Sequence, residues 1–121
     1  MERDQAAKID PDTLISVVVP AYNEEAVIKE FHRRLIAVVD SQPFSVEIVY
    51  IDDGSTDDTC ALMNDVAGTD ERVTVLELSR NFGKEIALTA GLDHAAGDAV
   101  IVIDSDLQDP PELIPELVSK W

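Results

Sequence analysis

Cysteine is nearly missing from this chain: Cys60 stands alone among 121 residues, so no disulfide can close within it. Nothing therefore asks for an oxidising compartment, and a reducing cytoplasm is the expected setting. Basic residues are scarce as well. Lys and Arg number 9 against 25 Asp and Glu, a formal net charge of −16. Nucleic acid is held largely by releasing counterions to Lys and Arg, so this balance excludes a nucleic-acid binder and disfavours anionic lipid headgroups. Any phosphate ligand needs a local device, such as a metal or a helix N-terminus. Long apolar runs are lacking too. Met1 to Thr13 is polar with no apolar segment of a secretory signal, and no later stretch approaches the roughly 20 residues that span a bilayer, so the chain alone is expected to be soluble.

Several motifs are also absent. No Gly-x-Gly-x-x-Gly follows the first β-branched run, which removes the dinucleotide fingerprint. Gly83-Lys84 lacks the earlier glycine and the following Ser or Thr of a phosphate loop. The stretch from Asp104 puts Asp109 where a calcium loop needs glycine and Pro115 where it needs glutamate. There is no nucleophile elbow, internal repeat or low-complexity segment.

What remains is an ordinary globular composition, 45% hydrophobic and 28% charged, at a length that supports one core. After the tail, short β-branched runs alternate with amphipathic ones in a β-α-β-α-β-α-β-α pattern. Ile15 to Val19, Val46 to Ile51, Val73 to Leu78 and Ala99 to Ile103 are nearly continuously apolar, as suits parallel strands buried on both faces. Ile28, Phe31, Leu35 and Val38 recur at helical spacing, with Asn23 placed to cap and Glu24 and Glu25 in the first turn. A second helix is expected from about Asp57 to Ala67. A third runs from about Gly83 to Ala96 and stops at Gly97. Asp109-Pro-Pro-Glu112 announces a last helix, whose start Pro115 is expected to delay.

Each expected strand runs straight into a polar segment: Pro20-Ala-Tyr-Asn-Glu24, Asp52-Asp-Gly-Ser-Thr56, Ser79-Arg-Asn-Phe-Gly-Lys84 and Asp104-Ser-Asp-Leu-Gln-Asp109. In an open parallel sheet these four ends share one rim, and ligands bind there where the strand order reverses. Asp104 and Asp106 flank Ser105, and in an extended backbone alternate side chains point the same way, about 7 Å apart. Two such carboxylates can share Mg2+ or Mn2+, and Gln108 continues the parity. Taken alone, Asp-x-Asp is more often a solvated turn with a helix cap, the role expected of Asp109. Asp52-Asp53-Gly54-Ser55 alone reads as a tight turn. Arg80 and Lys84 are more suggestive, because no Lys or Arg follows from Glu85 to Ser119. Cys60 and Met63 are expected to pack, and His32 and His94 to be structural or exposed. Tyr22 is the aromatic best placed to meet a base.

As an ordered set, ISVVVPAYNEE, VYIDDGSTDDT, LSRNFGKEIAL and GDAVIVIDSDLQDPPELIPEL resemble the family 2 glycosyltransferases of GT-A fold. The run RNFGKEIALTAGLDHA followed by DSDLQDPPE looks most like the polyprenyl-phosphate branch, especially bacterial enzymes that place glucose on a bactoprenyl phosphate. The resemblance implies an α/β, Rossmann-like half with a mainly parallel sheet of about four strands and helices on both faces. Residues 1–13 would be a flexible polar tail, and residues 14–121 the donor-binding portion of a domain that in the family continues well past this point.

It further implies that Pro20, Ala21, Tyr22, Asn23 and Glu24 bind the nucleotide, with Asp53 on the base and Asp52 beside it. Asp104, Asp106 and Gln108 would hold Mg2+ or Mn2+ on the donor diphosphate, Asp106 being catalytic. Arg80, Asn81 and Lys84 would line the same cleft, while the Ser105 side chain points away. The implied partners are a nucleotide sugar, UDP-glucose ahead of GDP-mannose, and a polyprenyl phosphate. The full-length protein would work at the cytoplasmic side of a membrane, as a homo-oligomer. Two rivals stand beside this reading. One is a nucleotide-sugar binding domain without turnover. The other is a phosphoreceiver-like signalling module, whose acids would have to follow the first strand, where Pro20-Ala21-Tyr22 stands instead.

Overall fold

The β-branched runs form one sheet, and their place in it decides how well each is buried. In the computed structural model, which describes residues 10–121, the strands are β1 (Leu14–Ala21), β2 (Ser45–Asp52), β3 (Val73–Glu77) and β4 (Ala99–Val102). They pair in the order β3-β2-β1-β4, every pair parallel. The two central strands meet the expectation of burial on both faces, with Val17, Val18, Val19, Ile48, Val49 and Ile51 all fully buried. Removing each such side chain from water contributes about 1.5–3 kcal/mol. The edge strands do not meet it. β3 is mostly half-buried, and β4 alternates, with Val100 40% and Val102 43% exposed, because these two valines lie on the face where the helix Lys84–His94 covers β1 and β2 but not β4. β3 and β4 also end one residue earlier than expected, although Leu78 and Ile103 still donate ladder bonds, to the carbonyls of Asp52 and Val18.

Four helices connect and follow the strands: α1 (Ile28–Val39), α2 (Thr59–Ala67), α3 (Lys84–His94) and α4 (Ile114–Ser119). α1 buries Ile28, Phe31, Leu35 and Val39 against β1 and β2, with His32 among them and Val38 only partly covered. It starts at Ile28, so Asn23 does not cap it and Glu24 and Glu25 lie ahead of its first turn. Asn23 instead adopts φ 52°, a left-handed conformation that asparagine tolerates, and ties two loops together. α2 begins two residues later than expected, after Asp57 accepts the Thr59 amide. α3 ends at His94, short of Gly97, which serves a different purpose: a Cβ there would lie 2.5 Å from Ser16 Oγ and 2.7 Å from Ser16 N. α4 begins late, as Pro115 predicts. A 3-10 turn (Pro111–Leu113) precedes it, and the proline sits in its first turn, where its missing N–H costs no bond.

α1, α2 and α4 pack on one face of the sheet, over Ile15, Val17 and Tyr50, with Met63 contributed by α2 and Ile114 and Val118 by α4. α3 covers the other face through Ala87, over Val18, Val49 and Ile51. The chain steps from β1 outward to β2 and β3, then returns to lay β4 on the far side of β1. Crossovers keep one hand, so the reversal carries α3 to the opposite face and makes the carboxyl ends of β1 and β4 the switch point. Of the expected tail, residues 1–9 lie outside the described residues. Asp10 to Thr13 form a turn, with the Thr13 amide donating to the Asp10 carbonyl at 2.8 Å and the Ser45 amide to the Thr13 carbonyl at 3.0 Å.

Candidate functional site

A cleft of about 190 Å3 opens at the switch point. Pro20, Ala21, Tyr22 and Glu24 enter it from the end of β1, Asp104, Ser105 and Asp106 from beyond β4, and Asp53, Lys84 and Ala87 from the remaining loops and α3. Tyr22 and Asp106 thus share one pocket, as the strand-end argument requires. Tyr22 is 42% exposed, which leaves its ring free at the lip.

The loops are laced together by side chains that accept backbone amides. Asn23 Oδ1 accepts the Thr56 amide at 2.8 Å, while the Asn23 amide donates to Ser55 Oγ at 2.9 Å and the Glu24 amide to Thr59 Oγ1 at 2.8 Å. The loop after β1 is therefore held by the loop after β2. Gly54, at φ 68°, lets that second loop touch the third, since a Cβ there would lie 2.2 Å from the Arg80 carbonyl carbon and 2.3 Å from Asn81 N. Asp53 closes the same seam: its Oδ1 accepts the Phe82 amide at 2.9 Å and its Oδ2 the Gly83 amide at 3.1 Å. Thr56, Thr59 and the Phe82 and Gly83 amides lie outside the residues that the sequence marks as candidates. Their only sequence signal is the density of Ser, Thr and Asp after Gly54, the chemistry of side chains that bond to nearby backbone.

Neighbouring Asp52 faces elsewhere. It is buried, accepts the Ser55 amide at 3.3 Å, and gathers with Cys60 and Glu77, their ligand atoms all within 4.8 Å of one another. Asp52 thus lies off the cleft wall that Asp53 borders. Successive side chains on a strand point to opposite faces, so only one of Asp52 and Asp53 can border the cleft. Burial, with Asp52 and Glu77 nearby, pushes the Cys60 thiol up to about 11, so it stays protonated beside the two acids. Among the described residues this is the one trio of His, Cys, Asp or Glu close enough to hold a divalent ion as it stands.

Lys84, the first residue of α3, places Nζ 2.8 Å from Asp104 Oδ1 and 2.9 Å from Oδ2. That hydrogen bond, with Asp106 and Asp109 behind it, raises the lysine above its ordinary range. Burial raises the Glu24 carboxyl, and repulsion from Asp106, Asp104 and Asp57 adds to the shift. The acids of the cleft thus outnumber their one cation, Lys84, and hard carboxylates with that deficit suit Mg2+ or Mn2+.

Besides Asp52, four expected site residues stand off the cleft wall: Asn23, whose side-chain oxygen is engaged by Thr56, and Gln108, Arg80 and Asn81. Gln108 is exposed and off the cleft wall; its amide, not its side chain, donates to Asp106 Oδ1 at 3.0 Å. The extended parity that pointed it inward fails because Leu107 turns the chain at φ 67°. Arg80 and Asn81 are exposed at the rim and absent from the wall, the Arg80 guanidinium lying 4.7 Å from the centre of the Phe82 ring. Ser105 is buried and its hydroxyl has no partner among the described residues.

The family model described as Glycosyl transferase family 2 matches residues 16–121. The chain is 54% identical over 107 residues to the bactoprenol glucosyl transferase of Shigella phage SfV, covering 88% of this chain and 35% of that protein. It is 49% identical over 106 residues to the uncharacterized glycosyltransferase YkcC of Bacillus subtilis (strain 168), covering 88% and 33%. The chain thus spans about a third of the length of these curated relatives. Among solved structures, the mannosyltransferase PcManGT from Pyrobaculum calidifontis, in complex with GDP-Man and Mn2+, is similar at 27% identity with a TM-score of 0.74, over 98% of this chain and 37% of that one. S. aureus TarS 1-349 in complex with UDP-GlcNAc is similar at 32% identity with a TM-score of 0.66, over 76% and 26%. The parallel sheet with helices on both faces is the Rossmann-like GT-A arrangement. By its matched residues and its fold, this chain belongs to the family 2 glycosyltransferases.

Proposed function

We propose that this chain supplies the donor- and metal-binding part of an inverting glycosyltransferase that moves a hexose, glucose in the first instance, from a nucleotide sugar to a polyprenyl phosphate. The observation that carries the reading is the convergence of the Tyr22 loop with Asp104 and Asp106 on one cleft. Pro20, Ala21 and Tyr22 offer an apolar wall and an aromatic face for a base. Asp53 acts on the donor by fixing the loop that carries Lys84, rather than by offering a free carboxylate edge. Lys84 supplies the cation nearest the acids, where a diphosphate would lie.

Asp104 and Asp106 are the residues that would hold Mg2+ or Mn2+, which when bound would neutralise charge growing on the departing nucleoside diphosphate. Asp106 is the residue we place next to the reacting centre. A phosphate monoester is already ionised near neutral pH, so a lipid phosphate can attack the anomeric carbon without a strong general base. Attack opposite the leaving group inverts the configuration. The chemistry then rests on activating and orienting the donor, which is what this cleft is built to do.

UDP-glucose is favoured by the likeness to bactoprenol glucosyl transferases, and GDP-mannose is the competing donor by the likeness to a GDP-Man complex. Isothermal calorimetry with UDP-glucose, GDP-mannose and UDP-N-acetylglucosamine, each with and without Mn2+, tests the reading. UDP-glucose is expected to bind tightest and to depend on the metal. Failure of all three to bind in the presence of Mn2+ would remove the donor-site assignment. For the whole protein we place the work at the cytoplasmic side of a membrane; no helix among the described residues is long and apolar enough to cross one.

A further inference from the structure

The cleft sets one ammonium among several carboxylates, and that ammonium lies within hydrogen-bonding distance of both oxygens of Asp104. A divalent cation on Asp104 needs those same oxygens, so the two positive charges compete for one carboxylate. Among the described residues Glu24 and Asp106 form no ion pair, which leaves Lys84 the only cation on the cleft wall. Its root is fixed, because it begins α3 directly after Gly83, whose amide is held by Asp53. Its head is not: the Lys84 side chain is 62% exposed, and four methylenes let Nζ swing along the cleft at little cost.

We propose that Lys84 is an exchangeable counter-ion, holding Asp104 while no divalent cation is bound and releasing it when a nucleoside diphosphate offers the ammonium another anion. The proposal rests on the donor-site reading above. In the resting protein the ammonium keeps Asp104 from binding a stray cation tightly. When the diphosphate arrives, Nζ moves to it and the freed carboxylate binds the metal. Donor and metal then assist each other through one side chain, in addition to any direct contact between them, and the assistance is reciprocal.

Mn2+ binding to the purified chain, read from the electron paramagnetic resonance signal of free Mn2+ with and without UDP, tests this in wild type, Lys84→Met, Asp104→Asn and the double variant. An exposed ion pair is worth little, so Lys84→Met is expected to bind Mn2+ alone about two- to fivefold more tightly than wild type. The enhancement by UDP should shrink by the same factor. In the Asp104→Asn background the Lys84 substitution should have a clearly smaller effect, since the ammonium then has no charged partner to release at residue 104. Lys84→Gln repeats the measurement with a polar neutral side chain. Equal or weaker Mn2+ affinity in both Lys84 variants, or a UDP enhancement as large as in wild type, overturns the exchange while leaving the donor-site reading standing. Wild-type protein that binds neither Mn2+ nor UDP overturns both.

Discussion

Asp53→Ala is the substitution that best separates a clamp from a ligand contact. The carboxylate is 5% exposed and accepts two backbone amides of the loop after β3, from Phe82 at 2.9 Å and Gly83 at 3.1 Å. Hydrogen bonds to a charged acceptor contribute about 1.5–3 kcal/mol each when the donors are stranded. Phe82 is 38% exposed, so its amide can recover water, and the lower half of that range applies. The summed loss is then about 3–4.5 kcal/mol, a large share of the roughly 5–15 kcal/mol that holds a domain together. With a urea dependence near 1.5 kcal/mol per molar, the unfolding midpoint should fall by about 2–3 M. Asp53→Asn keeps one acceptor but turns an NH2 toward an amide, so it should lose at least half as much. Nucleotide affinity should fall with stability, because the loop carrying Lys84 is freed. A midpoint shift under about 0.3 M with a lost affinity for UDP would refute the clamp and make Asp53 a direct contact instead.

Gly54→Ala should destabilise the protein by more than about 3 kcal/mol, since it combines a left-handed φ with a Cβ 2.2 Å from the Arg80 carbonyl carbon; a thermal melt within a degree or two of wild type would contradict this. His32 is buried with Nδ1 2.7 Å from Tyr50 Oη, and burial lowers its pKa. The unfolded chain therefore takes up the proton first, so the stability of the neutral form is complete above about pH 6.5 and is lost as pH falls toward the depressed folded value. Urea midpoints compared between pH 7.5 and 5.5 should fall in wild type and fall less in His32→Gln; parallel slopes would exclude the histidine. The bare edge of β4, with Val100 and Val102 exposed, predicts self-association. Light scattering at high concentration should show a mass above the monomer that Val102→Lys reduces, and a clean wild-type monomer would remove the expectation.

Much of this protein was legible before any coordinates. Val- and Ile-rich runs separated by amphipathic stretches specify parallel strands and helices, because hydrophobic period is a local property that each segment carries by itself. The delayed start of α4 follows from Pro115 alone, and the placing of polar clusters after each strand is enough to predict a shared rim. Non-local packing decided the rest. β4 joins β1 at the edge of the sheet, beyond the reach of α3, so its outward valines are exposed although its sequence reads like that of a buried strand. Asp52 and Asp53 are neighbours of identical chemistry, yet the end of a pleated strand sends one to Cys60 and the other to the cleft wall. Asn23 looked like a helix cap and became a tie between loops, and Gln108 lost its inward parity when Leu107 turned the chain. The pairing of Lys84 with Asp104 joins residues from different loops, a contact that strand order creates and no local pattern encodes. Periodicity is written along the chain, whereas which face a helix covers and which strand lies beside which depend on the whole core closing at once.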